Sequence, residues 1–260
     1  GNTDENLLRA FYKLLKGKTL TAEELPEFTP TRIAAGDIKS RNLFYQRLIE
    51  LQDVVKGNTA LQFVSLANYT TSDLISASQG STALAYRYAL KELNPFAILG
   101  NNNLYTPHNT NGELNPFVDK IATPAGMTAA YIEDRAKFLF WKNQANIKDS
   151  SSVKDPNAVD DWQFIDNTLN YNVLVAKSSL GGALRGAIFG DGVLPVGGAG
   201  ADHIYGGVRT DILTGDKGDD YLEGGKGRDI YNYNASATFS TNDGNDTIFD
   251  TDGKGVLRYN

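Results

Sequence analysis

Residues 197 to 232 consist of four consecutive nine-residue units, GGAGADHIY, GGVRTDILT, GDKGDDYLE and GGKGRDIYN. A repeat this short constrains the fold more than any helix pattern, because each unit must adopt the same local structure and bury itself against its neighbours. The sixth position is aspartate in every unit, at Asp202, Asp211, Asp220 and Asp229, and the eighth is large and apolar or aromatic, at Ile204, Leu213, Leu222 and Tyr231. The first six positions predict a tight turn, since glycine tolerates positive φ and has no Cβ to hold carbonyls apart. The last three predict a short strand with one side chain pointing inward. Two units make one full coil, so turns 18 residues apart stack on the same edge, pairing Asp202 with Asp220 and Asp211 with Asp229.

Converging carbonyls and one carboxylate form an incomplete oxygen cage for a hard cation, and a second stacked turn completes it. Without the ion the stacked carboxylates repel one another, so folding and metal binding are expected to be a single event. Composition agrees. Residues 181–260 hold 18 of the 26 glycines and 12 acidic against 7 basic side chains, whereas residues 1–180 hold 19 against 18. Nearly all of the net charge of −6 therefore sits in a glycine-rich segment too poor in large apolar residues for an ordinary core.

The pattern GGxGxDx(apolar)x resembles the repeats-in-toxin (RTX) motif, whose nonapeptides bind calcium. The resemblance covers 197–232 and extends through NDGNDTIFDTDGKG at 242–255, which is similar to the unit that commonly follows the last repeat. It implies an α+β chain, a mainly helical N-terminal domain followed by a parallel β-roll. The expected division is a helical domain at 1–160, a strand-bearing connector at 161–186, and a calcium-binding roll with a C-terminal capping unit at 187–260. The helical domain is expected to dock as an N-terminal cap, with Trp162 to Leu180 placed to cover the open end of the solenoid.

The expected calcium ligands are the turn residues Gly198, Gly200, Gly207, Gly218, Gly225 and Gly227, together with Asp202, Asp211, Asp220 and Asp229. Two departures from the motif matter. Arg209 replaces the glycine at position four of the second unit and is expected to place a cation near Asp211 and Asp229. Asp216 replaces the second glycine of the third unit and offers an additional ligand. Asp246 and Asp250 in the trailing unit either complete a terminal site or cap the roll. Asp250, Thr251 and Asp252 also resemble a helix–loop–helix calcium loop, but Lys254 stands at its fifth position and no glutamate closes it.

Such proteins are typically exported unfolded by type I secretion and fold outside a Gram-negative cell, where calcium is abundant. The resemblance therefore implies calcium ions and the type I secretion machinery as partners. The absence of cysteine fits that route and rules out disulfides, thiolate metal sites and cysteine nucleophiles. No apolar run approaches the ~20 residues of a membrane span, and no secretory leader opens the chain. A pI near 5.0 argues against a nucleic-acid partner. Gly1 stands where an initiator methionine would, and the chain is expected to be part of a longer protein lacking the C-terminal export signal.

The N-terminal part reads as helical. Leu7, Leu8, Phe11, Leu14 and Leu15 mark a first helix, and Thr21 with Glu24 makes a capping-box pattern ended by Pro26. Phe44, Leu48, Leu51 and Val55 mark a second, stopped at Gly57. Tyr86, Ala89, Leu90 and Leu93 mark a third, and Ile132, Ala136, Leu139 and Phe140 a fourth. The run from Trp162 to Val175 predicts strands, and Asp155-Pro156 a linker turn. Residues 83–100, 108–114 and 131–146 are similar to a region preceding the repeats in large RTX proteins, some of which carry a lipase-like domain upstream.

No catalytic residue is expected. Ser179 follows a strand-like run, but Lys177 occupies the place of the first glycine of a Gly-x-Ser-x-Gly elbow, and His203 is the sole downstream histidine. His108, with Asn109 and Glu113 nearby, is expected to be a loop histidine held by hydrogen bonds to its own turn. Asp119, Glu133 and Asp134 are expected to be mostly solvated charges. The favoured function is a calcium-dependent folding and secretion module of an extracellular or cell-surface protein. The alternatives are the C-terminal portion of a secreted lipase-like hydrolase with upstream catalytic residues, and an adhesin segment recognising a host surface or glycan.

Overall fold

The chain was analysed as a computed structural model that describes residues 4–26, 36–80, 83–158, 160–177, 184–192, 195–233 and 243–259. It is a mixed α+β fold. Helix α1 (Asp4–Lys16) turns Leu8 and Tyr12 toward Leu51 of α2 (Ile38–Lys56), with Leu20 and Leu25 closing a small satellite core. Between them the Thr21 and Glu24 side chains bond each other's main-chain N–H at 3.3 and 3.1 Å, a reciprocal cap on a single turn. Asp37 caps α2 by accepting from the Ser40 N–H at 3.0 Å, and Gly57 ends it.

Two short strands, β1 (Gln62–Ser65) and β2 (Phe96–Leu99), pair antiparallel around α3 (Thr71–Ser78) and α4 (Leu84–Glu92). The stripe reading does not predict α3 or either strand. Helix α3 is two turns long, and its start is signalled by the capping box of Thr70 with Asp73 rather than by periodicity. Leu93, at φ 52°, turns the chain out of α4. A 3-10 helix follows at Asn102–His108, then α5 (Ala129–Ile147), which starts at the cap Thr128.

The remaining strands are β3 (Ser152–Lys154), β4 (Asp161–Asp166), β5 (Tyr171–Ala176), β6 (Leu184–Phe189), β7 (His203–Gly207), β8 (Ile212–Thr214), β9 (Tyr221–Gly225), β10 (Ile230–Tyr233), β11 (Thr247–Phe249) and β12 (Val256–Tyr259). Successive repeat strands alternate between two sheets. The larger runs β11-β9-β7-β6-β4-β5-β3 and the smaller β12-β10-β8. Ile204 pairs with Leu222, and Leu213 with Tyr231, both in parallel and both 18 residues apart. Ile204, Leu213, Leu222 and Tyr231 form a core of their own between the sheets.

Strand β6 enters the same register, with Ile188 opposite Ile204, so the parallel stack begins before the first full repeat. The other face of the larger sheet carries His203, Tyr205, Tyr221 and Glu223, and α5 lies on it. Phe138 packs on Phe164 and Phe189, and Tyr131 on Phe189 and Tyr205. The helical part is thus placed differently from the expected cap: α5 crosses the flank of the larger sheet from β9 to β5 instead of plugging an open end. The reason is the aromatic outer face of β7 and β9, which would otherwise lie in water.

One buried ion pair holds α5 to the sheet. Arg135 donates to Asp166 at 2.5 Å and to the carbonyls of Leu90 and Lys91, and both charged side chains are buried. Removing one partner leaves the other charge uncompensated in a dry site. Asp166→Ala is expected to lower stability by about 3–5 kcal/mol, measured by chemical denaturation in the presence of calcium.

Candidate metal centre

The four repeat aspartates are buried, and each reaches back to the main chain of the turn stacked before it. On one edge, the Gly186 N–H donates to Asp202 Oδ1, the Asp202 N–H to Asp220 Oδ1 at 2.7 Å, and the Asp220 N–H to Asp246 Oδ1 at 3.2 Å. On the other edge, the Gly192 N–H donates to Asp211 Oδ1 at 2.7 Å and the Asp211 N–H to Asp229 Oδ1 at 2.9 Å. The result is two ladders of carboxylates threaded through stacked turns.

The second carboxylate oxygens differ. Asp202 Oδ2 accepts from the Gly198 N–H and Asp211 Oδ2 from the Gly207 N–H, but Asp220 Oδ2 and Asp229 Oδ2 are fully buried with no hydrogen-bond partner. Burial, with Asp246, Asp202 and Asp216 close by, pushes the Asp220 carboxyl up to about 7. Burial, with Asp211, Asp250 and Asp252 near it, pushes Asp229 to about 7 as well. Asp202 and Asp246 are also raised, chiefly by burial. Each edge thus holds one orphaned carboxylate oxygen inside stacked turns, and each fits its own hard cation, which would satisfy that oxygen and remove the electrostatic cost.

Glycine lets the turns stack closely enough for this. A Cβ on Gly218 would collide with the Gly200 carbonyl, one on Gly225 with the Gly207 carbonyl, and one on Gly227 with the Arg209 carbonyl. The three glycines have φ of +123°, +83° and +147°, so other residues would also be strained there. Stacking is reinforced by main-chain bonds from the Lys217 N–H to Gly198 O at 3.0 Å and from the Lys226 N–H to Gly207 O at 2.8 Å. Among the described residues no three acidic or imidazole side chains converge, so a cage here draws on main-chain carbonyls as well as aspartates.

The family model for the RTX calcium-binding nonapeptide repeat matches residues 196–231, in four copies. The chain carries RTX calcium-binding repeats. The cation that the ladders fit is therefore calcium. No curated protein and no solved structure matched the chain.

Around the RTX repeats, the expectation for Arg209 needs correction. Arg209 does not enter the Asp211 and Asp229 edge. Its side chain is exposed and its Nε lies 3.9 Å from Asp191 Oδ2, while Asp191 Oδ1 accepts from the N–H groups of Val208 and Arg209. Asp191, in the turn before the first full unit, thus draws the guanidinium outward. Asp216 sits at φ 71° on an exposed corner, adding negative charge beside Asp202 and Asp220. Asp246 joins a ladder. Asp250 instead braces its own turn, accepting from the N–H groups of Gly253 and Gly255 at 3.1 and 2.7 Å.

Sequence reasoning weighed Thr251 and Asp252 only as part of a helix–loop–helix pattern, whereas Asp252 accepts from the Gly227 N–H at 3.1 Å and the Thr251 hydroxyl lies 2.6 Å from the carbonyls of both Gly225 and Pro124. The signal available was their place in the trailing unit, one coil beyond Gly225 and Gly227.

The helical-domain candidates do not assemble. His108 lies in the 3-10 helix with its ring 4.7 Å from that of Tyr88, and its Nε2 is buried and unpartnered, so it is not held by its own turn. Burial lowers its pKa. Asn109 bonds Leu114 and Asn115, and Glu113 bonds Asn111, away from that ring. Asp119 accepts from the N–H groups of Ile121 and Ala122, and Glu133 pairs with Lys137 on the surface.

Asp134 is not solvated: it is buried and bonds His203 at 2.5 Å and Tyr205 at 2.7 Å. Burial raises its carboxyl, but His203, Lys137 and Tyr205 together outweigh that and bring it below the usual range. Asp155 makes the expected turn by accepting from the Asn157 N–H. Ser179 lies outside the described residues.

The raised carboxyls give a pH dependence. Unfolded aspartate titrates near ~3.9, whereas in the folded, ion-free coil Asp220 and Asp229 titrate at about 7. Between those values the folded coil holds more protons, so ion-free stability is greatest below the lower value and declines as pH rises toward the higher. Calcium must displace the same protons. The calcium midpoint of folding is therefore expected to be several-fold higher at about pH 5.5 than at about pH 7.5, read by circular dichroism titration.

Proposed function

We propose that residues 187–260 form the parallel β-roll of an exported RTX protein, which folds when it meets calcium outside a Gram-negative cell. The observation that carries this reading is the pair of buried, unpartnered oxygens on Asp220 and Asp229 within stacked RTX turns. In the low-calcium cytoplasm those carboxylates would ionise without a counter-ion, and the four-residue interior offers little to hold the coil closed. The chain would then remain extended enough for the type I secretion machinery.

Outside the cell, calcium would supply the missing charge and the coil would close. The proposed organisation keeps a helical domain at 1–160 and a connector at 161–186, whose strands β4 and β5 lengthen the larger sheet and shield its first rung. The proposed calcium ligands are Asp202, Asp211, Asp220 and Asp229 with the turn carbonyls around them, and Asp246 at the last rung. This is a structural and binding role, and no step of it calls for catalysis.

Far-UV circular dichroism against calcium tests the reading. Strand signal is expected to appear cooperatively in the sub-millimolar to millimolar range of extracellular modules, while helical signal changes little. Asp220→Ala is expected to weaken that transition more than Asp250→Ala, because Asp220 stands inside a ladder and Asp250 braces a surface turn. Equal effects would contradict the assignment.

A further inference from the structure

The third repeat ends in glutamate where the others end in Tyr205, Thr214 and Asn232, and nothing in the coil's construction calls for a carboxylate there. Glu223 points away from the coil interior, toward α5, and is only 5% exposed. Its Oε2 accepts from the hydroxyls of Thr128 and Tyr221 at 2.7 and 2.8 Å. No described residue bonds its Oε1, and no cation pairs with it.

Glu223 lines a half-open cavity of about 140 Å³. The cavity opens where the parallel strands β4, β6, β7 and β9 end, at Asp166, Phe189, Gly207 and Gly225, beneath the first turn of α5. The carboxyl ends of parallel strands are where open sheets commonly hold ligands. The other carboxylates on its wall have partners. Asp166 is paired with Arg135 and Glu92 with Lys13, both at 2.5 Å, while Glu113 is held by Asn111 and Asp191 by two main-chain N–H groups. Among the described residues on that wall, Glu223 is the buried carboxylate with neither an ion pair nor a full set of donors; of the two cations there, Arg135 is held by Asp166 and Leu90, and Lys91 does not bond Glu223.

We propose that this cavity binds an organic cation, a primary ammonium on a short apolar stem. The ammonium would donate to Glu223 Oε1, and the stem would lie against Met127 and the Tyr131 ring, which share the cavity wall, the Phe189 ring there being covered by the Arg135 guanidinium at 4.6 Å. An ammonium needs only one carboxylate and a few oxygens. The same group is presented by a free alkylamine or by a lysine side chain of another polypeptide.

Ligand-observed NMR and calorimetry on the calcium-loaded chain separate the outcomes. n-Butylamine is expected to bind at least ten-fold more tightly than 1-butanol, its neutral counterpart, and Glu223→Gln to weaken it at least ten-fold while leaving the calcium-induced strand signal in place. N-acetyl-lysine methylamide, run in parallel, distinguishes the sources: binding equal to butylamine favours a polypeptide lysine, and much weaker binding a free amine. Failure of both amines to bind, equal binding of 1-butanol, or undiminished binding by a folded Glu223→Gln overturns the proposal. Should that variant fail to fold, the butylamine and 1-butanol comparison on the unmodified chain decides.

Discussion

The last third of this chain depends on carboxylates buried in stacked turns. Each repeat aspartate accepts a main-chain hydrogen bond from the turn before it, and so fixes the spacing of the coil. The same geometry puts Asp220 and Asp229 in dry surroundings with one oxygen each left over. Main-chain hydrogen bonds leave those oxygens unsatisfied, and the calcium that RTX repeats bind would satisfy them. On the proposed reading, the repeat trades hydrophobic area for ionic bridging, and its folding is conditional on the ion.

On that reading the condition extends to the sheet face on which α5 packs. The face on which α5 lies is built by β6, β7 and β9 side by side, through Phe189, Tyr205, Tyr221 and Glu223. Asp134 contacts His203 and Tyr205 from the helix, and Thr128 contacts Glu223 from its N-cap. These strands are neighbours only when the turns at their ends are stacked. On the proposed reading, the helix docking surface and the cavity beneath its first turn would share the calcium dependence of the coil, although none of their side chains lies in a carboxylate ladder.

Much of this was legible in the sequence. The nine-residue period yields the 18-residue register directly, and Ile204 over Leu222 with Leu213 over Tyr231 follows from it. The helices with clear apolar stripes also emerge, as does the run of strands after Trp162. What stayed hidden depends on tertiary surroundings. Asp134 reads as a surface charge because its partners, His203 and Tyr205, lie about 70 residues further on and face it only once the sheet exists. Arg209 reads as an intruder in an ion site because no local pattern reveals that Asp191, one coil earlier, draws it outward. Helix α3 and the β1–β2 pair are too short for periodicity to register.

The central claim is that ionic bridges, not the four-residue interior, hold the coil closed. Amide hydrogen exchange across residues 197–233, followed by mass spectrometry in calcium and in excess chelator, tests it most directly. The account predicts strong protection of the Asp202, Asp211 and Asp220 amides in calcium, collapsing together to near-unfolded rates when the ion is removed. Comparable protection of those amides in chelator would show that the turns stack without the cation, and would contradict the account.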